Sequence, residues 1–309
     1  MKTLYELHLL YLFLNQMHKV VFFLCCSLCL FYEVDGQFLQ SIYPPGLSAS
    51  KPVLAIDSIR FNTLQNTMEI VELNGQVSTY NLGDVDSAVF DFTPMHVHSC
   101  GADSVHNETL EYGLMADQQG NYYKTIVINN STWMAENLRV TAFRNGAAIA
   151  NVQAVDQWSS TTDAAWVFYT NDSSYDCPYG KLYNWYAVSH PAGLCPAGWH
   201  VPVTAEYDAL FLALGGPVSA GDRMKTAGSI YWLQSNINAD NSSGFSGIGA
   251  GRRFFYGDFE GLRYESVLWH ADAFDENSAW VHGLSADMAS ANLSIYPKRT
   301  GFPVRCVKD

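Results

Sequence analysis

Two cysteine-centred segments constrain the fold more than any other feature of this chain. The first reads Cys195-Pro196-Ala197-Gly198-Trp199-His200-Val201-Pro202. The second closes the sequence as Gly301-Phe302-Pro303-Val304-Arg305-Cys306-Val307-Lys308-Asp309. A bond between their cysteines would tie the start of a domain to its last strand. Cys100 and Cys177 lie upstream, and Cys25, Cys26 and Cys29 sit together in an apolar run near the N-terminus. If that run is removed, four cysteines remain. An even number in an exported chain favours disulfides, but four cysteines allow three connectivities and spacing does not choose among them.

The apolar run spans Val20 to Tyr32, follows Lys19 and precedes Glu33-Val34-Asp35-Gly36-Gln37. A basic residue, a short apolar stretch and small residues after it describe a secretory signal over 1–36, with cleavage after Gly36. Met17 is an alternative start that gives a signal of ordinary length. The run is shorter than the about 20 residues a membrane helix needs, so no transmembrane span is expected once the signal is removed. The expected location is secreted or at the cell surface. A net charge of -13 argues against a nucleic-acid partner, because phosphate binding needs clustered cations.

Downstream, the pattern reads as β structure. Residues 37–92 form a small β-repeat module. Met68–Leu73 and Gln76–Leu82 alternate on either side of Asn74-Gly75, a strong hairpin signal. Ile56-Asp57-Ser58-Ile59-Arg60-Phe61 returns as Val85-Asp86-Ser87-Ala88-Val89-Phe90, and the two copies are expected as outer strands around that hairpin. Residues 93–121 read as a solvated connector. Within it His96, His98 and Cys100 would share one strand face, with His106 nearby. That pattern is a weak zinc or copper signal, because structural zinc sites use paired short spacings, and no metal or other cofactor is expected.

The main domain is expected over 122–309, with sparse helices. Leu182–Val188 is one candidate, ended by Pro191. A second begins at Thr204 as N-cap and places Tyr207, Leu210, Phe211 and Leu214 on one stripe before Gly215-Gly216. A short third helix is expected at 222–226. The Gly-rich stretch 244–253 lacks the strand–loop–helix order of a nucleotide site.

Several segments occur in the order found in a known family. They are Tyr123-Lys124-Thr125, Trp133-Met134-Ala135-Glu136-Asn137-Leu138, Tyr179-Gly180-Lys181-Leu182-Tyr183-Asn184-Trp185-Tyr186-Ala187, the Cys195 segment, Ser243-Gly244-Phe245-Ser246, Ala279-Trp280 and the closing segment. With these the chain resembles the Fibrobacter succinogenes major paralogous domain over about 122–309. The resemblance implies an α+β, C-type-lectin-like fold with two main helices, small antiparallel sheets and a long loop region between Trp232 and Trp269. It implies no enzymatic activity. It also implies a Cys195–Cys306 bridge. Relatives often carry a cysteine where this chain has Val167, which leaves Cys177 unpaired unless it finds Cys100.

The function expected is binding or adhesion, to a glycan or a surface protein, through loop 232–276. The candidate contacts are Trp232, Arg252, Tyr256, Asp258, Trp269 and Asp272. Trp133, Trp185, Trp199 and Trp280, which lie in the shared segments, are expected in the core, whereas Trp158, Trp166, Trp232 and Trp269 are better candidates for surface platforms. His200 is expected to be structural, and Arg305 to pair with a carboxylate such as Glu136. Glu-Pro-Asn, Gln-Pro-Asp and Trp-Asn-Asp, the tripeptides of calcium-dependent lectins, are absent from the chain. A structural surface role is the main alternative. A glycoside hydrolase would need two carboxylates at a set separation, for which Asp258, Glu260, Asp272 and Glu276 are the candidates.

Overall fold

The computed structural model describes residues 98–309 apart from 103 and 237. Before residue 98 it describes 19–22, 38–42, 49–52, 56–62, 65–72, 75–81 and 88–91. The chain divides into two compact units, Met1–Met95 and His96–Asp309.

Among its described residues the first unit contains two antiparallel sheets. One has the order β1-β7-β2-β3, from β1 (Lys19–Phe22), β2 (Phe38–Ile42), β3 (Ala49–Pro52) and β7 (Ala88–Asp91). The other is the meander β4 (Ile56–Asn62), β5 (Thr67–Glu72) and β6 (Val77–Asn81). The expected hairpin is present, with Val71 opposite Val77. The expected repeat pairing is not. The first copy lies beside β5, but the second contributes to β7, which pairs with β1 and β2 instead of β6. Of the expected signal, only Lys19–Phe22 falls within the described residues.

The second unit is α+β. Its central sheet has the order β14-β20-β10-β9-β8, from β8 (Gly113–Ala116), β9 (Tyr122–Ile128), β10 (Ser131–Met134), β14 (Trp199–His200) and β20 (Val307–Lys308). Strands β9 and β10 are buried on both faces, so side-chain alternation serves two cores. Trp133 and Ile126 face one core, with Tyr207, Phe211 and Trp232. Met134 and Tyr123 face the other, with Trp199, Trp269, Phe302 and the Cys195–Cys306 pair. Burying an indole removes about 150–250 Å² from water, worth about 4–6 kcal/mol as an upper bound. Trp133, Trp158, Trp232 and Trp269 are all fully buried.

Smaller sheets surround this centre. β11 (Ala150–Asn151), β12 (Ala165–Val167) and β13 (Leu182–Tyr183) form one. β15 (Ala250–Arg253) and β16 (Phe259–Leu262) form a two-stranded ribbon. β17 (Glu265–Ala273), β18 (Ser278–Ser285) and β19 (Ala291–Pro297) form a meander. Much of the expected 232–276 loop is therefore strand.

The helices are short: α1 (Val155–Ser160), α2 (Asp176–Tyr179), α3 (Trp185–Val188), α4 (Thr204–Ala213) and α5 (Pro217–Met224). α4 buries the predicted stripe of Tyr207, Leu210, Phe211 and Leu214. Its N-cap is Val203, not Thr204. The Glu206 carboxylate accepts the Val203 N–H at 2.9 Å, and Asp272 Oδ2 accepts the Thr204 N–H at 2.6 Å. The helix expected over 182–188 shrinks to α3, because Leu182 and Tyr183 pair with β12 and the Asn184 side chain caps the turn that follows. The expected helix at 222–226 begins earlier, at Pro217, a residue suited to a first turn.

The connector reading is also corrected. From His98 onward the segment is built into the second unit through a Cys100–Cys177 bridge, a buried His106 and strand β8. The second bridge joins Cys195 to Cys306. Pro303 lies outside any strand, so its missing N–H interrupts no ladder.

Candidate functional site

Two polar clusters stand out in the second unit, one sealed and one open. The sealed cluster centres on Glu136, which immediately follows the segment that crosses between the two cores. Its carboxylate accepts the Ser99 N–H at 2.7 Å and lies 3.0 Å from His106 Nε2 and 3.6 Å from His98 Nε2. Burial acts to raise the Glu136 carboxyl, but the facing imidazoles and the Ser99 bonds outweigh it and hold it below the usual carboxylate range. Burial pushes His98 down to about 3 and His106 down to about 4. His106 Nδ1 meets Ser246 Oγ at 3.0 Å.

Arg305 is fully buried beside this group, and it does not pair with Glu136. Its Nε donates to Asn137 Oδ1 at 2.8 Å, its other nitrogens donate to the Phe245 and Ser246 carbonyls, and it lies over the Phe245 ring. Burial lowers it to about 9. The Glu136-Asn137 pair and the Gly244-Phe245-Ser246 turn are thus joined by one guanidinium and one imidazole. Perturbed titrating groups mark functional sites and structural networks alike. Here Glu136, His106 and Arg305 are buried and each is bonded within the protein, so these three are scaffold.

The open cluster is on the β15–β16 hairpin. Successive residues of β15 point to opposite sides. Arg253 turns inward. Its Nε donates to the Gly257 carbonyl at 3.0 Å, and its Nη atoms donate to the Val152 and Gln153 carbonyls at 2.7 Å each. It also packs over the Trp158 and Phe259 rings, and burial lowers it to about 10. This clamp fixes the hairpin tip. Gly257 closes the tip with φ +110°, and a Cβ there would lie 2.6 Å from Val155 Cγ1.

Arg252 turns the other way. Its Nη1 donates to the Tyr296 hydroxyl at 2.6 Å, and its Nε lies 2.8 Å from Glu265 Oε1. The guanidinium sits 4.5 Å from the Phe254 ring centre, and the Tyr256 ring stacks on Phe254 at 4.8 Å with planes 10° apart. Phe255 packs edge-on against Tyr256 at 5.1 Å. The result is a ladder of Tyr296, Arg252, Phe254 and Tyr256 running to the hairpin tip. Tyr256 is 45% exposed and Phe255 37% exposed. Asp258 and Glu260 are exposed on the same hairpin. Burial raises the Glu265 carboxyl, against the pull of Arg252.

The structure therefore brings Arg252, Tyr256 and Asp258 together and separates them from the other expected contacts. Trp232 and Trp269 are fully buried, and both donate their indole N–H inward, to Gly247 and Tyr183 carbonyls respectively. Neither is a surface platform. Trp158 and Trp166 are buried as well, while Trp185 and Trp280, expected in the core, are only half-buried. Asp272 caps α4. The four candidate hydrolase carboxylates lie on three elements: Asp258 and Glu260 on the hairpin, Asp272 in β17 and Glu276 in the β17–β18 turn. His200 is structural as expected, bridging Glu206 at 2.9 Å and Asp309 at 2.6 Å.

Sequence reasoning missed Phe254, Phe255 and Tyr296. The first two were findable. Three aromatics before Gly257-Asp258 put a turn signal directly after apolar residues, so the rings must fall near a hairpin tip. Tyr296 joins only through the fold. A shallow cavity of about 150 Å³ between the β9–β10 turn and α4 is smaller than the about 300–1,000 Å³ typical of small-molecule pockets.

Residues 126–308 match the family model of the Fibrobacter succinogenes major domain. No curated protein and no solved structure matches the chain.

Proposed function

This chain belongs to the Fibrobacter succinogenes major domain family, and from that premise we propose that it is an exported surface protein that binds glycan on the β15–β16 hairpin. The single observation that carries the reading is the clamped, half-exposed stack of Phe254 and Tyr256 beside Arg252. A sugar ring has an apolar C–H face and a polar hydroxyl edge. An aromatic step next to a guanidinium and the Asp258 and Glu260 carboxylates offers matching surfaces to both. The rings are held by packing and by Arg252, so little side-chain freedom is lost on binding.

Export through residues 1–36 and a C-type-lectin-like arrangement belong to the same reading. The two disulfides support export, since such bonds persist in oxidising compartments. N-terminal sequencing of the mature chain checks export, with Gln37 as the expected first residue.

Binding is tested by a glycan array followed by NMR titration of the hits. Tyr256→Ala is expected to weaken a genuine hit at least tenfold while leaving the fold intact. Hits indifferent to Tyr256→Ala and Phe255→Ala, or none across the array, would leave the structural surface role as the better account.

A further inference from the structure

We propose that the Cys100–Cys177 bridge masks a site for a thiophilic divalent cation, zinc foremost, held after reduction by His98 Nδ1 and both thiolates. The ligand atoms of His98, Cys100 and Cys177 lie within 4.8 Å of one another. His98 Nδ1 is 2.7 Å from Cys100 Sγ. A tight turn holds this arrangement, with the Gly101 N–H bonded to the His98 carbonyl at 2.7 Å and the His98 N–H bonded to the Ala102 carbonyl at 2.8 Å.

The histidine is oriented as a metal ligand would be. The Cys100 N–H donates to His98 Nδ1 at 3.2 Å, so the lone pair is on Nδ1 and the proton on Nε2. Cys100 Sγ lies beside the same nitrogen, so a metal would take this lone pair in place of the Cys100 N–H. Nε2 is buried without a hydrogen-bond partner and faces Glu136 Oε2 at 3.6 Å. A carboxylate behind the far nitrogen of an imidazole is the arrangement that orients histidines on metals and raises their basicity. His98 is 2% exposed, while both cysteines are half-buried and open to solvent. This leaves a fourth position for water. His106, which sequence spacing grouped with these residues, is bonded instead to Glu136 and Ser246.

The chemistry balances with a dithiol as reductant. It gives up two electrons and two protons and becomes a cyclic disulfide. The Cys100–Cys177 bond breaks, and two thiols form. The cation then displaces both thiol protons to solvent, giving one imidazole and two thiolate bonds. Zinc–sulfur bonds of about 2.3 Å and zinc–nitrogen bonds of about 2.0–2.1 Å in a tetrahedron put the ligand atoms about 3.6–3.8 Å apart. Swinging the two freed cysteine side chains apart reaches that spacing. The other bridge does not compete, because Cys195 and Cys306 are 1% and 0% exposed in the core.

The test uses the full chain, reduced by a mild dithiol, freed of it without oxygen, and titrated with Co²⁺ and then Zn²⁺. Alkylation and mass spectrometry establish which cysteines were opened. The expected result is one equivalent of Co²⁺ with tetrahedral ligand-field bands and a thiolate charge-transfer band, displaced by Zn²⁺. Cys177→Ser should abolish the charge-transfer signature of the paired site. His98→Gln, which keeps both cysteines, should weaken binding at least tenfold. The proposal is overturned by an octahedral spectrum without thiolate bands, by bands unchanged in Cys177→Ser or His98→Gln, or by loss of the near-ultraviolet circular dichroism of the fold on opening Cys100–Cys177.

Discussion

The Glu136 cluster and the β15–β16 hairpin are built from similar parts: an arginine on a phenylalanine ring, a carboxylate and backbone carbonyls. In the first, Arg305 lies over Phe245 with its donors turned to Asn137 and to carbonyls, all away from water. In the second, Arg252 lies over Phe254, and the stack continues outward to a half-exposed Tyr256. The same contact is a fastener where water is excluded and, on the reading proposed above, a recognition surface where one face of it stays wet. The hairpin also contains both cases side by side, because Arg253 fastens the tip that Arg252 decorates.

Breaking the sealed cluster should have the largest effect of any single substitution. Glu136→Ala leaves His106 and the Ser99 N–H without their acceptor in a buried setting, and a loss of about 3–5 kcal/mol is expected in urea denaturation. A cost near that of a surface substitution would show that water reaches this cluster after all.

Acid should act next. His270 and His282 are buried and in contact at 2.6 Å, and burial pushes them down to about 4 and about 3. Their folded values lie below the unfolded value of about 6.5. The unfolded chain therefore takes up protons first as pH falls. Their contribution to stability is complete above about 6.5 and is lost progressively as pH falls towards 4, at up to about 1.4 kcal/mol per pH unit for each proton. Melting temperature measured from pH 8 to 4 should drop below 6.5, and His282→Gln should flatten that drop.

Gly257→Ala sharpens the comparison at the hairpin tip. The positive φ and the contact with Val155 predict a cost of about 1–3 kcal/mol, with weaker ligand binding because the ladder loses its rigid end. Tyr256→Ala should change stability by less than about 0.5 kcal/mol, as an exposed substitution, while removing most binding. Similar stability losses at Tyr256 and Glu136 would mean that the two regions do not differ in kind.

A small effect, on stability alone, is expected at His200. The Asp309 and Glu206 carboxylates raise it against burial, so its contribution is full below about 6.5 and is lost as pH rises through the raised value. The site is about two-fifths exposed, so His200→Ala should cost under about 1 kcal/mol at pH 6, and less at pH 8.

Much of the scaffold was legible in the residues. α4 followed its stripe, β5 paired with β6 as expected, and the family resemblance anticipated the Cys195–Cys306 bridge, while the pairing of Cys100 with Cys177 was left open until the fold brought them together. Trp133 and Trp199 are buried as expected, but other tryptophans were misread because an indole is both a large core residue and a good platform, and the sequence around it does not say which. Trp232 and Trp269 found inward carbonyls for their N–H groups, whereas Trp185 and Trp280 stayed at the edge of the core. The 182–188 segment was misread because Leu182 and Tyr183 gain more by pairing with β12 than by extending a one-turn helix.

What the sequence determined by itself is therefore local or covalent: which residues alternate, which stripe a helix buries, where turns fall, and how many cysteines are available to pair. Tertiary structure decided the rest. It turned residues 98–121 from a linker into part of a domain, gave Arg305 to Asn137 instead of Glu136, and set Tyr296 beside Arg252 across a separation of 44 residues. These outcomes depend on which groups lose access to water and which partner is then nearest. Both are properties of the packed chain, and no short stretch of sequence contains them.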